Sequence, residues 1–326
     1  MKVMRAVSFA DGVTLRQDYP LPVPGIGEAL VRVHLAGICA TDLEILNGYT
    51  GEQVVPGHEF VGVVEKVVGQ EGEELVGRRV VGEINIGCGG CDFCLSGVVS
   101  HCRSRQVLGI RGKDGCFADY LTLPVANLHT VPESISDEEA VFVEPLAAAY
   151  AVLEHLPFAT KGEALVLGDG KLGVLVAQVL QSVGVPTTLM GRHQEKLAQA
   201  SKLGINTILS GQHGEYKKFG FVVEATGTSD GLGEALDLVK PRGLIVLKST
   251  VAGGVAVDLT SVVVDEVTIA GSRCGPFAPA LAALAGKRIA VLSFIDSVFP
   301  AAEPATAFVK AQTSGTLKVL LDFRCI

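Results

Sequence analysis

The stretch that decides the fold is residues 164–173, which read Ala164-Leu-Val-Leu-Gly168-Asp-Gly170-Lys-Leu-Gly173. Four apolar residues suited to a buried strand lead into three glycines in GxGxxG spacing, and an apolar helical pattern follows over Leu172–Leu180. Glycines at these positions let backbone amides and the first turn of a helix approach a pyrophosphate. The stretch therefore predicts a dinucleotide-binding turn. Its expected cofactor contacts are Gly168, Gly170, Lys171, Leu172 and Gly173.

Apolar strands and amphipathic helices alternate downstream of this turn. Alternation at this pace predicts a parallel sheet covered by helices, the doubly wound arrangement of a Rossmann domain. The expected helices lie near 171–183, 194–203 and 230–239. The expected strands are 164–168, 187–190, 206–209, 219–224, 243–248 and 266–270.

The first third of the chain is mostly β in pattern. In Val31–Leu35 apolar side chains alternate with Arg32 and His34, and further β-like runs are 59–68, 79–86 and 116–123. An acidic first turn after Ser136 predicts a helix from there to about His155. The tail from about 276 has two short helical stretches and a final strand, Leu317–Phe323. These patterns predict an α/β protein, a Rossmann sheet with a second, mostly β domain.

The composition is that of a folded globular chain. Its 326 residues are 48% hydrophobic and 19% charged, and 27 Lys+Arg against 35 Asp+Glu give a net charge of −8. A negative balance argues against nucleic acid or an anionic membrane surface as a partner, because both attract basic proteins. No apolar run approaches the ~20 residues of a membrane span, and no export signal is recognised. We therefore expect a soluble, cytoplasmic protein.

Four of the eight cysteines fall within residues 88–102. Thiolates two residues apart on a tight turn converge on one tetrahedral ion, and Gly89 and Gly90 relieve backbone crowding between them. The spacing favours a closed structural zinc site, with two disulfides or an iron–sulfur cluster as the alternatives. The expected ligands are Cys88, Cys91, Cys94 and Cys102.

A second, dispersed set of metal-binding side chains comprises Cys39, His58 and Glu144. A catalytic zinc takes three protein ligands of mixed type and leaves one position open. Each residue also has an ordinary interpretation, as a core cysteine, a satisfied histidine or an acid at a helix N-terminus. Spacing alone leaves both interpretations open.

The choice of nicotinamide cofactor is expected to depend on the end of the second strand of the predicted parallel sheet. Where an acid would bond the ribose 2′-hydroxyl, the sequence has Gly191, followed by Arg192, with His193 and Lys196 close by. A small residue and a guanidinium suit a 2′-phosphate, so we expect NADP(H) to be preferred over NAD(H). The alternative is that Arg192 caps the strand or stacks on adenine without discriminating.

Together these motifs resemble the zinc-containing medium-chain alcohol dehydrogenases, close to their polyol, threonine and glucose dehydrogenase branch. The resemblance runs over nearly all of the chain. The segments that carry it are Gly37–Asp42, Gly57–Gly62, Cys88–Cys102, Gly115–Tyr120, Val143–Leu146, Gly168–Gly173, Glu224–Gly227 and Lys318–Asp322.

The resemblance implies a particular domain order and two zinc ions per chain. Residues 1–145 would form a GroES-like catalytic domain, with a structural-zinc lobe at about 86–104. Residues 146–275 would form the Rossmann domain, and 276–326 would return to the catalytic domain. Further cofactor contacts are expected at Thr226, Gly227, Ser249, Thr250 and Lys318.

Site residues follow from the same resemblance. Cys39 and His58 map onto catalytic zinc ligands, and Glu144 maps onto the third ligand position. Glu59 matches a residue that binds the metal directly or through water. Thr41 matches the hydroxyl that passes the substrate proton towards solvent.

The expected reaction is reversible hydride transfer between an alcohol, a secondary alcohol or polyol, and NADP(H), which gives a ketone or aldehyde. The alternatives are a zinc-free NADPH-dependent reductase and a non-catalytic nucleotide-binding protein. Relatives pair through the edge strand of the Rossmann sheet, for which Val267–Gly271 is the candidate here. We therefore expect a homodimer or homotetramer.

Overall fold

The computed structural model describes residues 2–48, 51, 53–156, 162–211, 217–251 and 254–324. The strands, numbered along the chain, are β1 Val3–Ser8, β2 Thr14–Pro20, β3 Glu28–Gly37, β4 Glu59–Val67, β5 Arg79–Gly82, β6 Asn85–Ile86, β7 Gln106–Leu108, β8 Gly112–Lys113, β9 Tyr120–Pro124, β10 Leu128–Thr130, β11 Ala164–Leu167, β12 Thr187–Gly191, β13 Asn206–Leu209, β14 Phe219–Glu224, β15 Val239–Leu247, β16 Thr268–Gly271, β17 Ile295–Pro300 and β18 Lys318–Asp322.

The α-helices, numbered in the same way, are α1 Ala40–Leu46, α2 Asp92–Leu95, α3 Asp137–Ala140, α4 Val143–Tyr150, α5 Lys171–Ser182, α6 Gln194–Lys202, α7 Gly231–Leu238, α8 Thr260–Val264, α9 Phe277–Ala285 and α10 Pro304–Ala311. Within the described ranges, none of them is long and apolar enough to cross a membrane. The chain divides into two compact units, Met1–Glu144 with Phe294–Ile326, and Pro145–Ser293.

The first unit is built on a sheet in the order β10-β5-β4-β3-β18-β17, and β9 also pairs with β3. β3 is antiparallel to β4, β9 and β18. The alternation predicted for Val31–Leu35 is confirmed, because Val31, Val33 and Leu35 are completely buried. The last strand of the chain, β18, lies beside β3, so the C-terminal tail completes the sheet of the first unit.

The second unit is the predicted doubly wound sheet. Its six strands have the order β13-β12-β11-β14-β15-β16, and all neighbouring pairs are parallel. β11 lies at the centre, and its four residues are buried, as its unbroken apolar sequence predicts. The chain winds from β11 through β12 to β13 on one side and from β14 through β15 to β16 on the other, so the strand order reverses between β11 and β14. In such sheets ligands bind at the carboxyl ends of the strands near that switch point.

The single helix predicted from Ser136 to about His155 is wrong in one respect. The structure has two helices, α3 and α4, followed by a 3₁₀ turn over Ala151–His155. Ser136 does begin the first of them, since its Oγ accepts from the Glu139 N–H at 3.2 Å. Pro145 explains the interruption, because it has no N–H to offer the carbonyl of Val141 and its ring crowds that carbonyl.

Residues 277–293 lie in the second unit, whereas the sequence boundary was expected at 276. α9 buries one apolar face through residues such as Phe277 and Leu284. Gln178 of α5 fixes the end of the segment, since its amide donates to the Ala290 carbonyl at 3.0 Å and accepts from the Ala290 N–H at 2.9 Å. Burial of α9 and this reciprocal pair with α5 are consistent with the place of the segment in the second unit.

Candidate functional site

Three metal-binding side chains meet where β3 ends and β4 begins. Cys39 is the N-cap residue of α1, two residues after the end of β3, and His58 directly precedes Glu59, the first residue of β4. Because Gly37 pairs with Glu59 across the two strands, the three side chains come from adjacent backbone. Their ligand atoms all lie within 4.8 Å of one another. One thiolate, one imidazole and one carboxylate are a donor set suited to a zinc ion with an open fourth position.

Glu144, the sequence-predicted third ligand, lies outside this group of residues. Its side chain is half-buried in the first turn of α4, and of the two predicted carboxylates it is Glu59 that lies within this group. Glu59 directly follows His58 and begins β4, and the pairing of β3 with β4 places it near Cys39. Spacing in the sequence cannot distinguish two acids so far apart in the chain.

Helix α1 places two polar side chains close to Cys39, His58 and Glu59, which are called the metal group below. Thr41, half-buried, has its Oγ1 3.8 Å from the Cys39 Sγ. Asp42 is completely buried, and its Oδ2 accepts from the Cys39 N–H at 2.8 Å. The remaining oxygen of Asp42 lies 3.4 Å from His58 Nδ1, and both atoms are buried without a hydrogen bond.

A carboxylate behind a metal-binding histidine orients its ring and selects which nitrogen faces the metal. Burial by itself lowers the pKa of His58, but the Asp42 carboxylate raises it, and the pKa stands well above its ordinary value. Asp42 was only part of a matching segment in the sequence. The signal that identifies it is its place three residues after the N-cap Cys39, as in a capping box.

Lys318 is placed differently from its prediction as a cofactor contact. Its side chain is completely buried, and its Nζ donates to Glu59 Oε2 and, at 3.2 Å, to the Ile38 carbonyl. The same ammonium lies 5.7 Å from the centre of the Phe142 ring. A buried charge needs a partner, and Glu59 provides it. Lys318 therefore belongs to the metal group, where it balances the charge of Glu59.

The four clustered cysteines form the second candidate metal site. Cys88 follows β6, Cys91 and Cys94 flank the start of α2, and Cys102 follows a 3₁₀ turn. Their Sγ atoms all lie within 4.8 Å of one another. The turn needs Gly89, whose φ of +74° is in the left-handed region.

Two of the thiols in this cluster have pKa values shifted in opposite directions. Backbone N–H groups of Gly90 and Cys91 lower the pKa of Cys88 to about 6, which favours the thiolate. Desolvation raises the pKa of Cys94 to about 11. None of the seven cysteines that the structure describes forms a disulfide.

In the second unit a groove lies at the carboxyl ends of the central strands. Gly168 has a φ of +110°, and a Cβ there would overlap the Ala225 carbonyl, while one on Gly173 would overlap the Gly168 carbonyl. These close approaches explain why the turn needs glycine. The groove is lined by Leu167, Gly168, Asp169, Gly170, Met190, Gly191, Arg192, His193, Lys196, Ser210, Thr226, Thr228 and Glu234.

Of the predicted cofactor contacts in the second unit, the groove lining includes Gly168, Gly170, Gly191, Arg192, His193, Lys196 and Thr226. Lys171, Leu172 and Gly173 form the first turn of α5, which begins at the N-cap Gly170. Thr226 and Gly227 follow β14, and Ser249 and Thr250 follow β15.

Glu224, a buried carboxylate that the sequence analysis names only as part of a matching segment, joins the two loops after β14 and β15. Its Oε1 accepts from the Thr226 N–H at 2.7 Å, the Thr226 hydroxyl at 2.6 Å and the Ser249 hydroxyl at 2.9 Å. Ser249 in turn accepts from the Gly227 N–H at 2.7 Å. This network holds the two strand ends in one arrangement.

Although Gly191 stands where an acid was looked for, an acid from another loop lies beside it. The Asp169 side chain fills that space, and any side chain at position 191 would overlap its carboxylate. A second acid, Glu234, has its Oε2 3.4 Å from the Arg192 Nη2. Neither acid could be predicted from the segment that follows β12, because both belong to other parts of the chain.

Comparison with known proteins gives the family. The alcohol dehydrogenase GroES-like domain profile matches residues 25–133, and the zinc-binding dehydrogenase profile matches residues 172–286. Sorbitol dehydrogenase of Halalkalibacterium halodurans is 28% identical over 98% of this chain and 99% of its own length. D-altritol 5-dehydrogenase of Agrobacterium fabrum is 32% identical over 74% of each chain.

Solved structures agree with these sequence relatives. A zinc-binding dehydrogenase from Sinorhizobium meliloti 1021, solved bound to NADP, superposes with a TM-score of 0.89 at 25% identity, covering 99% of this chain and 100% of its own. An alcohol dehydrogenase, rspB, from Escherichia coli CFT073, complexed with NADH, gives 0.88 at 28% identity, covering 98% and 99%. The chain belongs to the zinc-containing medium-chain alcohol dehydrogenase family, in its polyol and threonine dehydrogenase branch.

Proposed function

We propose that the protein is a zinc-dependent dehydrogenase that transfers a hydride between a secondary alcohol or polyol and NADP(H). The observation that carries the proposal is the convergence of Cys39, His58 and Glu59 at the ends of β3 and β4. Sorbitol and altritol, which name two of the relatives, are polyols, and this supports the substrate class. In this proposal the first unit performs the chemistry and the second binds the dinucleotide.

The residues of the metal group divide the work between them. A zinc ion held there supplies Lewis-acid stabilisation for negative charge on the substrate oxygen. Asp42 holds the imidazole of His58 in one orientation, and Lys318 balances the charge of Glu59. When a hydride leaves the alcohol carbon for the nicotinamide ring, one proton also leaves the hydroxyl. Thr41 is the group that receives this proton and passes it outward.

The four-cysteine site is proposed as structural zinc, because all four positions of a tetrahedral ion would be filled by protein. Two zinc ions per chain are therefore expected. Cys94→Ser should remove one of them and lower stability, since a closed site contributes folding free energy.

His58→Ala should abolish turnover and leave the fold intact.

Zinc content by atomic absorption, the unfolding midpoint and turnover of a panel of alcohols test these two assignments together. Cys274→Ser is the matched control, since Cys274 lies outside both groups. If His58→Ala kept most of its activity, the catalytic assignment would be wrong. A zinc content of at most one per chain in the unmodified enzyme would favour the zinc-free reductase.

NADP(H) is proposed as the preferred cofactor. Arg192, His193 and Lys196 line the groove and offer donors to a 2′-phosphate. The two acids beside them are engaged by protein groups, Asp169 by His193 and Glu234 by Ser210 and Arg192. We expect kcat/KM to favour NADP(H) over NAD(H) by about tenfold to a hundredfold. Equal or better use of NAD(H) by the unmodified enzyme would contradict this proposal.

A homodimer or homotetramer in the cytoplasm completes the proposal. β16 is the edge strand of the parallel sheet. Helix α8, which precedes β16 in the chain, has exposed apolar side chains. An uncovered strand edge is a ready site for pairing with a second copy. Two thiolate-containing metal sites are also suited to a reducing compartment.

A further inference from the structure

The side chain of Asp169 lies between the first glycine of the turn and the end of β12. It is buried, although it belongs to a loop that lines the groove. Its Oδ2 accepts from the backbone N–H of His193 at 2.6 Å, and its Oδ1 lies 2.9 Å from the His193 Nδ1. Both carboxylate oxygens therefore contact the same residue, one through the backbone and one through the ring.

Gly191 is part of the same arrangement. A Cβ at position 191 would overlap the Cβ, the Cγ and one oxygen of Asp169. The absence of a side chain at the end of β12 therefore makes room for Asp169. Gly191 and Asp169 therefore pack against each other, although 21 residues of chain separate them.

The contact with Asp169 determines what His193 can offer to a ligand. A carboxylate at Nδ1 selects the tautomer and leaves Nε2 as the ring nitrogen that can contact a molecule in the groove. The His193 side chain is 47% exposed, and Arg192 and Lys196 line the same groove. Glu234 opposes them, with one oxygen near Arg192 and the other accepting from Ser210.

We propose that Asp169 is a positioning residue that holds His193 to read the 2′-phosphate on the adenosine ribose of the cofactor. The inference rests on the proposed nucleotide-binding function of the second unit. Asp169 acts through His193 because its own oxygens are engaged by that residue. The Gly-rich turn thus contributes to discrimination at the ribose as well as to pyrophosphate binding.

The first test measures cofactor affinity directly by isothermal titration calorimetry with NADP and NAD, and with 2′-AMP and 5′-AMP as probes. In Asp169→Asn we expect NADP and 2′-AMP to bind about five- to tenfold more weakly, as expected when a charge-assisted contact is lost. NAD and 5′-AMP should change less than twofold. Gly191→Ala should reproduce the effect, because the new methyl group displaces Asp169.

The matched control is Glu195→Gln, which removes the same charge from an exposed residue in the first turn of α6. This variant should change neither the NADP affinity nor the NAD affinity by more than twofold. Thermal melting of each variant separates loss of binding from loss of fold.

A double-mutant cycle with His193→Ala decides whether Asp169 acts through His193. If it does, Asp169→Asn should cause no further loss of NADP affinity in a chain that already lacks the imidazole. Two outcomes overturn the inference: fully additive losses, or an Asp169→Asn protein that loses NAD more than NADP. The second would mean that Asp169 accepts the ribose hydroxyl itself. An unmodified protein that binds neither nucleotide would instead refute the proposed function.

Discussion

At the scale of single residues, Asp42 connects two of the three side chains proposed to bind the catalytic zinc. It is completely buried, contacts the backbone of one proposed ligand and lies 3.4 Å from the ring of another. Its position places a negative charge directly behind His58. Carboxylates in this position orient a metal-binding histidine and increase the basicity of its ring.

Asp42→Asn should weaken zinc binding at the catalytic site by about ten- to a hundredfold, because the imidazole loses its orienting charge. Competition with a metal chelator measures the affinity of that site, with the four-cysteine site as an internal reference. Glu44→Gln, an exposed acid on the same helix, is the control. Unchanged zinc affinity in Asp42→Asn would show that the carboxylate does not support His58.

At the scale of elements, the start of α3 joins several parts of the first unit. Asp137, its first residue, lies 3.0 Å from the Nδ1 of His34 in β3 and accepts from Arg79 of β5 at 2.8 Å. Arg324, after β18, lies 3.8 Å from the same carboxyl group. One side chain thus contacts two strands and the C-terminal tail.

These contacts make stability depend on pH in a predictable direction. The hydrogen bond from His34 lowers the pKa of Asp137 to about 2, with Arg79 adding to the effect. A lowered pKa means that the stabilisation is complete above about pH 4 and is lost as the pH falls towards 2. Asp137→Asn should therefore lower the free energy of unfolding by about 1–2 kcal/mol at pH 7.

Urea unfolding at pH 7 and at pH 3 checks this prediction. The difference in unfolding free energy between the unmodified protein and the Asp137→Asn variant should shrink at the lower pH, because the native contacts then contribute less. Asp92→Asn, which changes an acid in the first turn of α2, serves as a comparison. A difference that stays constant between the two pH values would contradict the ionic origin of the effect.

At the scale of the whole molecule, the second unit leaves apolar surface uncovered near its sheet edge. Val263 and Val264 of α8 are 75% and 72% exposed, and the strand that follows, β16, ends the sheet. A cluster of exposed large apolar side chains beside an open strand edge is typical of a protein interaction site.

If this surface joins two copies, Val263→Asp should shift the protein from dimer or tetramer towards monomer, because a charge in an apolar interface is left unpaired. Sedimentation at micromolar concentration measures the change. Val309→Asp, in α10 of the first unit and 69% exposed, is the matched control. A monomeric unmodified protein, or an unchanged Val263→Asp oligomer, would refute this use of the surface.

Features that depend on neighbours in the chain could be predicted from the sequence. The parallel sheet follows from apolar runs and glycine spacing, and the four-cysteine site follows from thiols within residues 88–102. Such patterns express local periodicity and local turns, so no knowledge of distant contacts is needed. Even here Pro145 divides a helix that the acidic start at Ser136 predicts as continuous.

Tertiary structure alone decided the contacts between distant segments. The pairing of β3 with β4 brings Glu59, and not Glu144, to Cys39, and the entry of β18 buries Lys318 against Glu59. Parallel alignment of β11 with β12 places Asp169 in the space beside Gly191. These outcomes depend on which strands are neighbours and on their register. Neither can be read from the sequence of a single chain, because both are set by contacts that form only in the folded protein.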